Sequence, residues 1–582
     1  MSSLSTVTMR SSRLMLRRAG AQTAQRNFFQ AAVARHNLRA RPDVPFLSVP
    51  SSSTSTWVTR VRHMTTERRA QLRYEILTGI KYVGYIWIAG FAIFGISFAY
   101  FCERNERDYP TTEEWSFMTR FRMRMANIAL YDPKHGNAVD WIQVGHWIDT
   151  VIKRLHDPEF EGAGLKDAPD GPKGTKDITA KSEEWRRAYF DAMMFWAKAA
   201  EHMEGWVWDT ANGGTFPPGT MIGPSNPYPK PVPPGFRKAP REEDCILRHD
   251  NPNEIYLKIL NTVGFTDRQK IDAGLAYGSW LEYKGIAGPA SIIYEDALHL
   301  ALKQIENTTP APPLDPKAMT LNEEAGLPSE NLLNTLTAYA DFRARQGDIN
   351  FALPVYISLL KARRSLPLPS ELDLTSQLRK VKPSSQNRGF WSGVYNACAK
   401  IFTPPPYPEG PGDGIAPPIR NAAERCQEAA LSLHIGEIMY ATNPDAREEG
   451  LSWTREAVDV AEEQLHKINP NLREMKPVRR VCRDCLVTGL ENWGKMVARL
   501  QREEQARREE LERQQQRMAT TKENNRGWFG GLWGERQAQR EQEVTDRWSA
   551  EEKVIEERQR RVKDFVEDLR QPDRGWLSFL KA

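Results

Sequence analysis

Cysteine is scarce in this chain, with six in 582 residues, which excludes a disulfide-dense scaffold. Cys245, Cys398 and Cys426 are isolated in sequence, Cys102 edges an apolar run, and only Cys482 and Cys485 are near neighbours. Catalytic signatures are lacking as well. No HExxH or GxSxG occurs, and no GxGxxG follows a strand-like run. The stretch "GAGLKDAPDGPKGTKD" (162–177) has the glycines of a phosphate loop without its Gly-Lys-Ser/Thr, because Gly174 is followed by Thr175 and then Lys176. The one CxxC, Cys482 and Cys485, has no second ligand pair to complete a zinc site and no βαβ context for a thioredoxin-like centre. At i, i+3 both fall on one helix face, where buried cysteines are ordinary. His146, His202, His299 and His434 each stand alone in helical segments. These absences argue against an enzyme and against a bound cofactor or metal.

Lysine and acid are missing from the start of the chain. Residues 1–73 hold thirteen Arg, no Lys, and only Asp43 and Glu67, a net +11; the whole chain is +5, so the other 509 residues carry −6. An acidic body lacks the clustered Lys and Arg that a phosphate backbone needs, so nucleic acid is not an expected partner. The Arg-, Ser- and Ala-rich start is the composition of a mitochondrial transit peptide, expected over residues 1–63, with cleavage between Arg35 and Met64. A basic flank follows at 64–81.

Residues 82–102, "YVGYIWIAGFAIFGISFAYFC", hold no charge. Twenty-one residues at about 1.5 Å each cross a hydrocarbon core of about 30 Å. Tyr82, Tyr85 and Trp87 near one end and Tyr100 near the other resemble an aromatic belt. Six Arg and Lys precede the run, whereas "ERNERDYPTTEEW" follows it. The positive-inside rule then places the N-terminus in the matrix and the body, from 103 onward, in the intermembrane space.

The body shows no β pattern, so an all-α fold is expected. Apolar residues recur at helical spacing in "EEWRRAYFDAMMFWAKAAEHM", "NLLNTLTAYADFRARQG" and "INFALPVYISLLKARR", among others. Pro- and Gly-rich loops separate them at 157–180, 211–240, 306–328, 364–388 and 403–418. One stretch, "AYGSWLEYKGIAGPASIIYEDALHLAL" (276–302), repeats in spacing. Gly285, Ala290, Tyr294 and Ala297 match Gly347, Ala352, Tyr356 and Leu359, and Gly278 matches Ala340. This resembles the tetratricopeptide (TPR) pattern, in which a small residue sits where two helices of a hairpin touch. Gly285 and Gly347 fall in the turns, and Pro289 falls in the first turn of a second helix. A degenerate third unit runs through 421–467, with Gly436 and Gly450 flanking "EIMYATNPDAREE". TPR spacing points Asp272, Ser279, Glu282 and Tyr283, and in the next unit Asn334, Asp341 and Arg345, into a client-binding groove.

From Glu491 a charged helix of Arg, Glu and Gln runs to Arg526, followed by Trp528, Phe529, Leu532 and Trp533 among glycines, a second charged helix, and "DRGWLSFLKA". Such a tail suits contact with a partner or a membrane surface. The expected organisation is therefore a transit peptide (1–63), a matrix-side flank (64–81) and a transmembrane helix (82–102). A helical N-terminal part of the body (103–270), TPR-like repeats with a Pro-rich insertion (271–490) and a charged tail (491–582) complete it.

With "DYPTTEEWSFMTRFRMRMA" just past the span and "TPPPYPEGPGDG" interrupting the repeats, the layout over roughly 74–490 resembles the fungal TPR-containing adaptor of the mitochondrial i-AAA protease, the mitochondrial-genome-required family. The resemblance implies a partner set of the i-AAA protease, its other adaptor, and unfolded or damaged client proteins. Inner-membrane lipid would contact 82–102. It implies an adaptor that holds clients and hydrolyses nothing itself. A scaffold or assembly factor for a respiratory-chain complex is the alternative, and a redox-active protein using Cys482 and Cys485 is the third.

Overall fold

The computed structural model describes residues 66–131, 139–169, 171–233, 235, 238–305, 311–315, 317–369, 407–468, 475–522 and 547–563. The expected transit segment, residues 403–406 of the Pro-rich insertion and the aromatic patches after 526 lie outside them. The protein is mostly helical. Helix α1 (Thr66–Asp108) is long and apolar enough to cross a membrane, and its most apolar window is unburied. The chain divides into two compact units, 1–92 and 93–582.

In the second unit, α2 (Phe117–Tyr131) turns back beside the last turns of α1. Glu106 draws it there, pairing with Arg124 at 2.8 Å and with Arg120. Phe98 meets Phe121 at 6.2 Å. Then follow α3 (Trp141–His156), α4 (Glu183–His202), α5 (Pro252–Asn261), α6 (Asp267–Tyr283), α7 (Ala287–Ile305), α8 (Glu330–Arg345), α9 (Ile349–Arg364), α10 (Ala422–Thr442), α11 (Arg447–Lys467) and α12 (Lys476–Lys522). From α2 to α12 each helix packs on the next, and α4, α6 and α8 also touch in turn. The starts are written in the sequence: Asp140, Ser182, Asn251, Thr266, Ser329, Asp348 and Asn421 each cap a helix through a side-chain oxygen.

The purely α expectation needs correction. A hairpin of β1 (Lys166–Asp167) and β2 (Lys176–Asp177) lies between α3 and α4, within the stretch read above as a degenerate phosphate loop. An antiparallel sheet ordered β4-β3-β5 lies between α4 and α5, formed by β3 (Val207–Asp209), β4 (Gly214–Phe216) and β5 (Cys245–Leu247). Strands of two or three residues are too short to show alternation.

The hairpins α6–α7 and α8–α9 turn alike. Gly285 N–H donates to Glu282 O and Ile286 N–H to Leu281 O; Gly347 N–H donates to Ala344 O and Asp348 N–H to Arg343 O. Both glycines have positive φ, 75° and 87°, where a side chain is strained. Ala290, Tyr294 and Ala297, and Ala352, Tyr356 and Leu359, are all buried. A Cβ on Gly278 would sit 2.9 Å from the Tyr294 ring, which explains the small residue there. Helices α10 and α11 pack as a third pair, and Gly436 and Gly450 meet at their crossing.

The expected boundary at 490/491 falls inside α12, which is one helix of 47 residues. Its first half packs Cys482, Leu486, Leu490, Trp493 and Val497 on α10 and α11. The helix at 547–563 joins the same core through Trp548, Ile555 and Val562, a seven-residue repeat. Trp493 Nε1–H donates to Glu551 at 2.8 Å. The isolated Cys426 of the sequence is bonded to Cys482 in a disulfide, Cα–Cα 5.1 Å, and Cys485 is left free and buried. Cys482 and Cys485 do not pair with each other. Burial pushes the Cys485 thiol up to about 12, so it forms almost no thiolate at neutral pH.

One half-buried histidine predicts a pH response. His156 Nε2 lies 2.8 Å from the Tyr189 hydroxyl. Burial, aided by the fields of Lys176 and Lys258, lowers its pKa from 6.5 to about 4. Between those values the unfolded chain binds the proton and the folded chain does not. Stability therefore rises with pH across that window, and the contribution is lost as pH falls through it, by about 3 kcal/mol at most. Urea titrations of the wild type and His156→Gln from pH 7 to pH 4 check this. The variant should lose stability less steeply, and parallel slopes would contradict the assignment.

Candidate functional site

Helices α2, α4 and α6 wall a cleft of about 980 Å³. Helical arithmetic selects the walls. Ala188, Asp191, Phe195, Lys198 and Glu201 recur every three or four residues along α4, and Ala276, Ser279, Trp280 and Tyr283 do so along α6. Met123, Asn127 and Tyr131 of α2 face them, with Trp115 and Tyr256 deeper and Tyr407 at the rim. An aromatic column stiffens the floor: Tyr256 stacks on Tyr277 at 5.2 Å, and Tyr277 on Trp280 at 6.1 Å.

The polar groups are few. Tyr256 donates to Glu201 at 2.5 Å. Burial raises the Glu201 carboxyl, against the pull of that bond and of Lys198. Asp191 is reached by solvent within the cleft yet enclosed by its walls, and that enclosure pushes its carboxyl up to about 6, against Arg187 and the Tyr407 hydroxyl. The cleft thus offers large apolar faces with a few fixed acceptors, as ligand sites do. Among the described residues no group of three His, Cys, Asp or Glu stands close enough to hold a metal.

The seven residues expected in a groove divide. Ser279 and Tyr283 line the cleft, and Tyr283 is 85% exposed. Asp272 is exposed on the same face of α6, beside Arg268 and Glu330; enclosure and Glu330 raise its carboxyl while Arg268 lowers it. Glu282 and Arg345 pair with each other, Nη2 to Oε2 2.8 Å, and join the ends of α6 and α8. Asp341 accepts from the Tyr356 hydroxyl at 2.7 Å, and Tyr356 stacks on His434 of α10 at 5.6 Å. Asn334 is exposed, 3.5 Å from Arg363. The first unit's face therefore opens into the cleft, and most of the second unit's polar residues tie helices together.

Sequence reasoning missed Asp191, Lys198, Glu201 and Tyr407. A signal existed on α4, where three charged residues at i, i+7 and i+10 interrupt an otherwise apolar stretch. Nothing linked Tyr407, two hundred residues away, to that face. No protein-family model, curated protein or solved structure matches the chain.

Proposed function

We propose that the chain is a membrane-anchored adaptor with a TPR-like helical-repeat body. Residues 82–102 span the mitochondrial inner membrane, and the body in the intermembrane space holds unfolded clients for the i-AAA protease, beside that protease's other adaptor. The observation that carries this reading is the open aromatic cleft on a stack of helices in a chain whose α1 is apolar enough to anchor it. The repeated turns at Gly285 and Gly347 and the small residues at the helix crossings support the TPR-like build. Open helical stacks bind extended or helical segments on one face, as clients of a protease present them.

Purification of the full chain from mildly solubilised membranes, with mass-spectrometric identification, tests the reading. An ATP-dependent membrane protease should be recovered. Its absence overturns the proposal, and recovery of respiratory-complex intermediates in its place favours the assembly-factor alternative. Ser279→Arg, an exposed substitution that fills the cleft, should lower client recovery by about tenfold, roughly 1.4 kcal/mol, and leave protease recovery unchanged. Equal client recovery would remove the cleft from the mechanism.

A further inference from the structure

The cleft is not empty at its rim. Residues 407–416, "YPEGPGDGIA", run outside any helix or strand past the starts of α4, α6 and α8, bending at Gly414, where φ is 71°. Their backbone is held by side chains and backbone N–H groups of those helices. Arg187 donates to Pro408 O. Arg268 Nη1 donates to Gly412 O at 2.8 Å. Asn331 donates to Asp413 O from Nδ2 at 2.8 Å and to Gly414 O from its backbone N–H at 3.0 Å. Glu330 N–H reaches Ala416 O at 3.3 Å. Reading carbonyls in series is how a protein holds an extended peptide regardless of its sequence.

Side chains contribute differently. From 408 to 414 the segment offers proline, glycine and acid, with no large apolar group. Tyr407 alone enters the cleft. Arg187 lies over its ring at 4.6 Å, and its hydroxyl bonds Asp191. Gly410 lies directly against Arg187, so a side chain there displaces either the strap or the guanidinium that covers Tyr407. Beyond Tyr407 the cleft is lined by the edges of the buried Phe195 and Trp280 and by Tyr283, which is exposed.

We propose that residues 407–416 are an internal client mimic: Tyr407 occupies the cleft mouth until an extended, unfolded segment bearing an exposed tyrosine displaces it. This rests on the adaptor reading and names its ligand class. The exchange is near balance. An incoming tyrosine regains the Arg187 and Asp191 contacts, and an aromatic residue flanking it gains the exposed Tyr283 ring. A segment with no aromatic residue gains nothing over the strap. Selection for unfolded chains follows, because folded proteins rarely present a tyrosine with extended backbone on both sides.

The test uses the full chain in lipid nanodiscs and a fluorescent synthetic peptide of residues 403–414, with a second peptide carrying alanine at the position of Tyr407. In the wild type the tyrosine peptide should bind weakly. Tyr407→Ala should raise its affinity about tenfold, because the competitor for the site is gone. Gly414→Val, opposed by the positive φ of 71° and by the Asn331 side chain and remote from Arg187 and Asp191, should do the same and guards against misfolding of the first variant. The alanine peptide should bind none of the three proteins. Equal affinity of the tyrosine peptide in wild type and both variants, or equal binding of the two peptides, overturns the proposal. The adaptor reading falls separately, if the wild type recovers no AAA protease.

Discussion

Gly450→Ala is expected to destabilise the C-terminal helices by about 2–3 kcal/mol, and Gly450→Leu to prevent α10 and α11 from packing at all. The reason is backbone against backbone. A Cβ at 450 would lie 2.6 Å from Tyr440 N and 2.8 Å from Gly436 O, and neither atom is the movable end of a side chain. Relief requires the two helices to separate. Separation would break the contacts of Leu433, Ala457, Val458 and Ala461 in the shared core. It would also pull Tyr440 from Met496 O of α12, which its hydroxyl reaches at 3.0 Å. Gly288→Ala is the matched control. Gly288 lies in the first turn of α7 with nothing within 4 Å of an added Cβ, so alanine should be neutral or add up to about 1 kcal/mol. Urea unfolding and limited proteolysis of the full chain in nanodiscs separate the cases. A Gly450→Leu protein as resistant as the wild type would show that the crossing is not as close as described.

What could be read in advance follows from the range of each signal. The turns at Gly285 and Gly347 were legible because a positive φ selects a residue type locally, and the spacing to Ala290 and Ala352 stays within one hairpin. The face of α6 was legible for the same reason: a period of 3.6 puts Ser279 and Tyr283 outward without knowledge of their partners. The cleft as a whole was not, since α2, α4, α6 and Tyr407 come from segments nearly three hundred residues apart. The seam of Trp548, Ile555 and Val562 was hidden by Arg and Glu, which fill most of the other helix positions. Cys426 and Cys482 are 56 residues apart, and the nearer Cys485 drew attention from the true pair. Polar residues misled most on α8. Sequence spacing predicts their direction, but whether Glu282 and Arg345 face a client or each other depends on how one hairpin sits on the next.

That joint between hairpins carries the other large effect. Arg363, in the last turn of α9, reads from "KARR" as a solvated cation, yet it is 1% exposed. It pairs with Glu424 of α10, and its Nη2 lies 3.5 Å from Asn334 Oδ1 of α8. Three helices from two successive pairs thus meet on one guanidinium, whose Nε has no hydrogen-bond partner. Arg363→Met should cost about 3–5 kcal/mol, because it strands the Glu424 carboxylate beside an apolar wall. Glu424→Gln alone should also destabilise, leaving a buried cation half-satisfied. The double variant Arg363→Met/Glu424→Leu removes both charges and should return to within about 1 kcal/mol of the wild type, since a packed apolar pair often equals a buried ion pair. A double-mutant cycle by urea unfolding measures the coupling. Additive effects would mean the two charges stabilise the fold independently. Strong coupling would locate at Arg363 the contact that keeps the α6–α9 hairpins in line with α10 and α11. The two apolar cores of the Arg363→Met protein should then unfold separately, and circular dichroism should show two transitions where the wild type is expected to show one.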